Sequence, residues 1–214
     1  MNNEQKLEKY STSPFERWFE DVCQKWVPFV PNRVSPNQLT ILGFLGSVVA
    51  GFSFFMASYN RLFFLIAIFG LFVHLVLDNV DGAVARARNL TSQKGQFLDI
   101  FTDSIGIAFI FLGVGFSNYA ALNILIFPLI LWYLHLIVGY NWITLKNKWI
   151  FPLLSNFEIH ITLAVLALIY YIYGVIHFNI FGISLGLIEI VTVISVTLGF
   201  CELFYYAIKL YRQI

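Results

Sequence analysis

The chain has 214 residues, of which 59% are hydrophobic and only 12% are charged, and its formal net charge is +1. A mean hydropathy of +0.77 excludes an ordinary soluble domain and indicates a membrane protein. Because a spanning helix needs about 20 residues, six spans and one short extra element nearly exhaust this length. The two cysteines, Cys23 and Cys201, lack the spacing of a zinc site or a disulfide framework.

The first predicted element is an amphipathic helix. Ser13 is its expected cap, Pro14 its first residue and Glu16 the acidic residue three positions after the cap. Apolar side chains then recur at helical spacing: Phe15, Trp18, Phe19, Val22 and Trp26. The aromatic content favours a helix lying in the membrane interface over an arm packed against a partner protein. We therefore take residues 1–34 as a cytoplasmic N-terminal segment and 35–214 as a six-span domain.

Apolar runs predict the spans near 38–57, 62–85, 95–116, 119–141, 158–175 and 183–208. The predicted fold class is thus an all-α integral membrane protein with six transmembrane helices after the interfacial helix. With a cytoplasmic N-terminus, all basic residues except Arg61 lie inside or at the inner boundary. We expect both termini in the cytoplasm and, in a prokaryote, location in the inner membrane.

Four carboxylates stand where the second span ends and the third begins. Asp78 and Asp81 are three positions apart, and Asp99 and Asp103 are four apart, so each pair shares one face of its helix. On antiparallel neighbouring helices all four converge near the cytoplasmic boundary. Ionised carboxylates in such segments are costly unless paired, hydrated or bound to metal, which predicts a site for divalent cations.

Small and basic residues accompany the acidic ones. Gly82 and Ala85 let a bulky ligand approach the helix backbone, and the guanidinium of Arg86 matches phosphate oxygens. A polar turn joins the two helices and suits a diphosphate, although any loop between helices needs polar residues; its members are Asn89, Thr91, Ser92 and Lys94.

The motif D-x2-D-G-x2-A-R-x8-G-x3-D-x3-D, from Asp78 to Asp103, resembles the signature of the CDP-alcohol phosphotransferases, also called CDP-alcohol phosphatidyltransferases, in every fixed position. The S-P-N-Q-L-T stretch from Ser35 to Thr40 and the six-span plan resemble the family more loosely.

The resemblance implies transfer of a phospho-alcohol unit from a CDP-linked donor to a hydroxyl group, with release of CMP and with two Mg²⁺ or Mn²⁺ ions as cofactors. It implies that Asp78 and Asp99 bridge both ions, while Asp81 serves the first ion. Asp103 serves the second ion and is the expected general base. The implied substrate-binding residues are Gly82, Ala85, Arg86, Ser92, Gly95, Asn37 and Thr40.

The most favoured donor is CDP-diacylglycerol with a small soluble acceptor alcohol, because the chain is short. The alternative is a CDP-linked headgroup as donor with diacylglycerol as acceptor. No residue in the sequence indicates which acceptor is used, or whether the lipid is an ester or an ether lipid. The expected partners are these substrates and membrane lipid, and no nucleic acid is expected. The expectation of a homodimer comes from the family resemblance. A cation transporter and a membrane prenyltransferase are less favoured, since the carboxylates gather at one membrane face and their spacing differs from prenyltransferase clusters.

Other polar residues in the spans have two interpretations each. His74 lies one turn before Asp78 and either orients that carboxylate or is a satisfied core histidine. His135, Glu189 and Glu202 are either functional or hydrogen-bonding residues between helices, with Glu202 the best pocket candidate. Lys146 and Lys148, with Arg88, either receive a phosphorylated acceptor or reflect membrane orientation alone, the latter being favoured.

Overall fold

The computed structural model describes residues 8–10, 14–150, 155–180 and 182–214. The predicted cap Ser13 lies outside these residues. The elements in chain order are β1 (Glu8–Tyr10), α1 (Pro14–Gln24), a short 3-10 helix (Val27–Phe29), α2 (Pro36–Met56), α3 (Phe63–Ala87), α4 (Gln93–Gly115), α5 (Leu122–Lys146), β2 (Lys148–Ile150), α6 (Asn156–Tyr173), β3 (His177–Ile180), β4 (Ile183–Gly186) and α7 (Leu187–Tyr211).

The predicted fold class is confirmed. Helices α2 to α7 are each long and apolar enough to cross a membrane, and α1 precedes them. Such helices satisfy their own backbone hydrogen bonds, as a hydrocarbon environment requires. The chain therefore has the architecture of a multi-pass membrane protein.

Local signals decide where the spans begin and end. Ser35 caps α2 with a capping box that includes Gln38, and Ser155 caps α6 in the same way with Glu158. α5 continues to Lys146, five residues past the expected end, and stops where Asn147 adopts a left-handed conformation. α7 starts later than expected because residues 183–186 pair in a hairpin instead.

Two small sheets were not predicted from the sequence. β1 and β2 pair in parallel, with Glu8 opposite Lys148, and β3 and β4 form an antiparallel hairpin with His177 opposite Gly186. The hairpin turn contains Gly182 at a φ of 82°. These strands are too short to show an alternating pattern over several residues.

Glycines bring α2 into close contact with both α3 and α4. A Cβ atom at Gly46 would lie 2.8 Å from the carbonyl oxygen of Gly70 on α3. At Gly51 it would lie 2.4 Å from the carbonyl oxygen of Phe109 on α4. Packing by small residues is how membrane helices approach each other without a hydrophobic driving force. This packing holds α3 and α4, the two acidic helices, against a common support.

A buried core lies at the other end of the bundle from the acidic residues. It includes Phe54, Leu71, Ile110 and Tyr170. Glu189 is also buried there, and its carboxylate accepts hydrogen bonds from the backbone N–H groups of Ala121 (2.8 Å) and Gly186 (2.7 Å). Of the two interpretations offered for Glu189, the structure supports the hydrogen-bonding one.

We expect Gly51→Ala to destabilise the protein by about 1–3 kcal/mol, because the added methyl group meets the backbone of α4 and not a movable side chain. Gly43→Ala on the same helix is the matched control, since its nearest neighbour would be 3.5 Å away. Thermal unfolding in detergent measures both. Equal melting temperatures for the two variants would contradict the close α2–α4 packing.

Candidate active site

A cavity of about 290 Å³ opens at the predicted acidic site. Residues from α1, α3, α4, α5 and the start of α6 line it, including all four predicted aspartates. Six carboxylate side chains belong to its described lining: Glu16, Glu20, Asp78, Asp81, Asp99 and Asp103. Arg86 is the one Lys or Arg among the described lining residues, so the cavity is strongly acidic.

Three of the aspartates come close enough to share a cation. Asp78, Asp99 and Asp103 each offer a carboxylate oxygen, and these oxygens lie within 4.8 Å of one another. The convergence follows from the sequence, because α3 ends and α4 begins on either side of a short turn that contains Asn89 at a φ of 56°. The two helices therefore run antiparallel, both packed against α2, and their aspartates face the same cavity.

Asp81 is held from a third helix. Its side chain is 5% exposed, and its Oδ2 accepts a hydrogen bond from the Thr40 hydroxyl on α2. Thr40 was predicted to bind substrate, and it is not among the described residues that line the cavity. Its hydroxyl orients the Asp81 carboxylate, and its substrate-binding role stays a prediction.

Three more of the predicted residues lie close together at the start of α4: Ser92, Gly95 and Asn37. The Ser92 hydroxyl accepts a hydrogen bond from the backbone N–H of Gly95 (3.1 Å) and so caps α4. A Cβ atom at Gly95 would lie 3.3 Å from Oδ1 of Asn37. None of these three lines the cavity, and neither does Ala85. Their substrate-binding roles stay predictions.

Arg86 and Gly82 lie one turn apart at the end of α3, and both line the cavity. The guanidinium of Arg86 folds back over Gly82, so that a Cβ atom at Gly82 would lie 3.2 Å from Nη1. The absence of a side chain at Gly82 thus leaves room for the arginine beside the aspartates. A donor fork in this position suits an anionic oxygen of a ligand.

Sequence reasoning missed the role of α1 as one wall of this cavity. Glu16 and Glu20, four positions apart, line it, while Phe15 and Trp18 on the same helix are exposed. α1 is fastened by Cys23, which is 2% exposed, and by a ring contact of 5.2 Å between Phe19 and Phe157. The i, i+4 spacing of the two glutamates was the available signal, but their partner helix was not visible in the sequence.

Asp103 has neighbours from α6 and α3 that were also not predicted as a group. The Asn156 amide Nδ2 lies 3.3 Å from Asp103 Oδ2 and 3.4 Å from His74 Nε2. His74 Nε2 is 3.8 Å from Asp103 Oδ1, and its ring stacks on His160 at 4.7 Å. The sequence suggested Asp78 as the carboxylate oriented by His74, whereas the structure places the histidine against Asp103.

The basic residues considered for a phosphorylated acceptor have other contacts. Arg88 donates to the backbone carbonyls of Val30 (2.6 Å) and Val34 (2.9 Å), which fixes the segment before α2. Lys146 donates to the carbonyl of Gln213. Neither these two nor Lys148 and Glu202 belong to the described lining of the acidic cavity.

The donor set fits hard divalent cations. The oxygens that converge are carboxylate oxygens, the ligand type that Mg²⁺ and Mn²⁺ prefer. Neither free cysteine lines the cavity. Without cations, carboxylates this close in a partly buried site repel each other, since like charges are poorly screened there.

A family model for CDP-alcohol phosphatidyltransferases matches residues 33–201. The chain belongs to this family. The match contains α2 to α6, most of α7 and the whole acidic cluster, and it confirms the family resemblance noted in the signature.

Similarity to individual proteins is partial. The chain is 34% identical over 97 residues to the archaetidylinositol phosphate synthase of Pyrococcus horikoshii, covering 45% of this chain and 49% of that protein. It is 32% identical over 122 residues to cholinephosphotransferase 1 of Danio rerio, covering 50% and 31%. It is 38% identical over 87 residues to the bifunctional IPC transferase and DIPP synthase of Archaeoglobus fulgidus, covering 40% and 16%. The chain thus spans about half the length, or less, of these relatives.

Thr40→Val keeps the shape of the side chain but removes the hydrogen bond to Asp81, so we expect Mn²⁺ to bind about tenfold more weakly. Thr40→Ser retains the hydroxyl and is the matched control. Titration of purified protein with Mn²⁺, followed by electron paramagnetic resonance, gives both affinities. Wild-type affinity in Thr40→Val would show that the contact does not position Asp81.

The docking of α1 can be tested through Cys23. Burial, together with the negative charges of Glu20 and Asp78, raises the pKa of the Cys23 thiol to about 11. Because the thiolate is the reactive form, a water-soluble iodoacetamide should label Cys23 slowly at pH 8, and the rate should rise as the pH is raised toward 10.

Phe19→Ala removes the ring contact with Phe157, and we expect it to speed this labelling about three- to tenfold in a Cys201→Ser background. Phe15→Ala on the same helix is the control, because Phe15 is 72% exposed. Identical rates for the two variants would mean that α1 is not held by this contact.

Proposed function

We propose that this protein transfers a phospho-alcohol unit from a CDP-linked donor to the hydroxyl group of an acceptor alcohol, with release of CMP. The observation that carries the proposal is the convergence of Asp78, Asp99 and Asp103 within 4.8 Å, with Arg86 on the same cavity. Membership of the CDP-alcohol phosphatidyltransferase family supports the same reaction class.

Two Mg²⁺ or Mn²⁺ ions are the proposed cofactors. The four aspartates would hold them, with Asp78 and Asp99 shared between the two ions, Asp81 on the first and Asp103 on the second. Bound there, they would supply positive charge to compensate the charge that develops on the phosphate oxygens as CMP leaves. The Thr40 hydroxyl keeps the buried Asp81 carboxylate in one orientation for this task.

The residues of the cavity then have separate roles. Arg86 donates to the diphosphate, and Gly82 leaves space for it. Asp103 accepts the proton of the attacking hydroxyl group, which a base within hydrogen-bond reach can do. Asn156, at 3.3 Å, keeps one oxygen of Asp103 in place while the other faces His74. Substrate contacts by Asn37, Thr40, Ala85, Ser92 and Gly95 are proposals of the same kind.

CDP-diacylglycerol with a small soluble alcohol is the first substrate pair that we propose. The opposite arrangement, a CDP-linked headgroup and diacylglycerol, is the second candidate. One of the partial relatives is named a cholinephosphotransferase, which supports testing a CDP-linked headgroup. We place the cavity at the cytoplasmic face with both termini inside, because the basic residues concentrate there.

The first experiment measures CMP release by purified protein in nanodiscs with Mg²⁺. One series pairs CDP-diacylglycerol with a panel of soluble alcohols, and the other pairs CDP-linked headgroups with diacylglycerol. We expect release with one pair, and a loss of at least about a thousandfold in Asp103→Asn because a base and a cation ligand are removed together.

Asp21→Asn is the control for this substitution, since Asp21 is exposed on α1 and does not line the cavity. Mn²⁺ should support release, and we expect Ca²⁺ to bind without supporting turnover. Absence of CMP release with every pair and cation, in protein that remains folded, would refute the proposed reaction.

A further inference from the structure

The charges on the walls of the acidic cavity restrict which alcohol can enter it. With the two proposed divalent cations bound, their positive charges match the negative charges of the four aspartates in number. Glu16 and Glu20 remain on the wall that α1 provides, while Arg86 is the one Lys or Arg among the described lining residues. The diphosphate of the donor adds further negative charge. A second phosphate group would therefore enter a cavity whose described lining already has an excess of negative charge.

The wall formed by α1 lies on the side of the cavity where the alcohol is expected. The attacking hydroxyl group has to reach Asp103, which is 3.3 Å from the side-chain amide of Asn156 at the start of α6. The next residue, Phe157, contacts Phe19 of α1 with the ring centroids 5.2 Å apart. Asp103 and α1 therefore flank the same end of α6. Because Glu20 follows Phe19 directly and lines the cavity, an alcohol that reacts at Asp103 lies next to this acidic wall.

The other basic side chains of the described chain are not placed to receive a second phosphate. Arg88 donates to two backbone carbonyls before α2, and Lys146 donates to a backbone carbonyl near the end of the chain. Lys94, in the polar turn, is exposed, and neither it nor Lys148 lines the cavity. A phosphate ester is normally bound by Arg or Lys side chains, and Arg86 is already assigned to the diphosphate.

Uncharged polar side chains complete the lining of the cavity. They are amides and hydroxyls from α3, α4 and the start of α6: Asn79, Gln96, Ser104, Ser155 and Asn156. Amides and hydroxyls form hydrogen bonds with the hydroxyl groups of a ligand, and carboxylates accept hydrogen bonds from hydroxyl and ammonium groups. The same walls thus suit an alcohol with additional hydroxyl groups or with an amine.

We propose that the alcohol unit enters this site uncharged or positively charged, as a polyol or an amino alcohol, and that Glu16 and Glu20 exclude its phosphate ester. This inference rests on the proposed function. Both substrate arrangements share the required chemistry, since the alcohol is either the free acceptor or the unit that CDP carries. The two glutamates determine specificity and take no part in the chemical step.

Pairs of substrates that differ by one anionic group test this proposal. Glycerol and myo-inositol are compared with glycerol 3-phosphate and myo-inositol 1-phosphate, each with CDP-diacylglycerol. CDP-glycerol is compared with CDP-glycerate, each with diacylglycerol, and the series that releases CMP identifies the source of the alcohol. We expect kcat/KM to be at least about a hundredfold lower for the anionic member of each pair, and the difference to shrink as NaCl is added, because salt screens charges.

Glu20→Lys and Asp21→Lys form a matched pair on α1. Both substitutions change the charge equally, but Glu20 lines the cavity, whereas Asp21 is exposed and does not. We expect Glu20→Lys to raise kcat/KM for the anionic member, relative to its partner, by about tenfold or more, and Asp21→Lys to leave this ratio within about twofold of wild type. Glu20→Gln removes the charge at nearly constant shape and should shift the ratio about threefold, even if the lysine variant disturbs the docking of α1.

The outcomes separate this proposal from the proposed reaction. An equal or higher kcat/KM for the phosphorylated alcohol in wild-type protein would overturn the charge selection and leave the reaction standing. An unchanged ratio in both Glu20 variants, or the same shift in Asp21→Lys as in Glu20→Lys, would also overturn it.

Saturation-transfer NMR measures binding without turnover. The probes are myo-inositol and myo-inositol 1-phosphate, added to protein in nanodiscs with Mg²⁺ and CMP. We expect a weaker signal from the phosphorylated probe, and we expect Glu20→Lys to strengthen that signal. Equal signals from the two probes, or a signal from neither, would overturn the charge selection. A weaker signal from the phosphorylated probe without CMP release from any substrate pair would support the charge selection and refute the proposed reaction.

Discussion

The mutual repulsion of four carboxylates at the junction of α3 and α4 is the constraint on which the rest of this structure depends. Two unit charges 4 Å apart repel by about 4 kcal/mol at an effective dielectric constant of 20, and Asp78, Asp99 and Asp103 are all within such reach of one another. A fold that forces them together needs rigid support and a compensating charge. Close glycine contacts of α2 with α3 and α4 provide the support, and divalent cations are the proposed compensation.

Neighbouring helices contribute to the same arrangement. α2 supplies the hydroxyl that orients Asp81, and α6 supplies the amide that contacts Asp103. α1 adds Glu16 and Glu20 from the side. The cavity is therefore built by five of the seven helices in the described chain, together with the Thr40 contact from α2, and no single pair of helices forms it alone.

The helix α1 has two different sides, and each suits a different environment. Phe15 and Trp18 are exposed, as expected for side chains that enter the lipid interface, while Glu16 and Glu20 face the acidic cavity. Because both sides belong to one rigid helix, a change in how α1 contacts the membrane would also move the wall of the cavity. The buried thiol of Cys23, between α1 and the bundle, reports on this contact.

The amino-acid sequence by itself determined the six spans, the amphipathic helix and the four aspartates, because helical periodicity, hydropathy and residue spacing are local properties. It also identified the family, through the eight fixed positions of the motif from Asp78 to Asp103. Only the tertiary structure decided that Thr40 contacts Asp81, that Asn156 and His74 contact Asp103, and that Glu16 and Glu20 line the cavity. These contacts join residues that are distant in the chain, and they depend on which helices pack together, which local patterns do not specify.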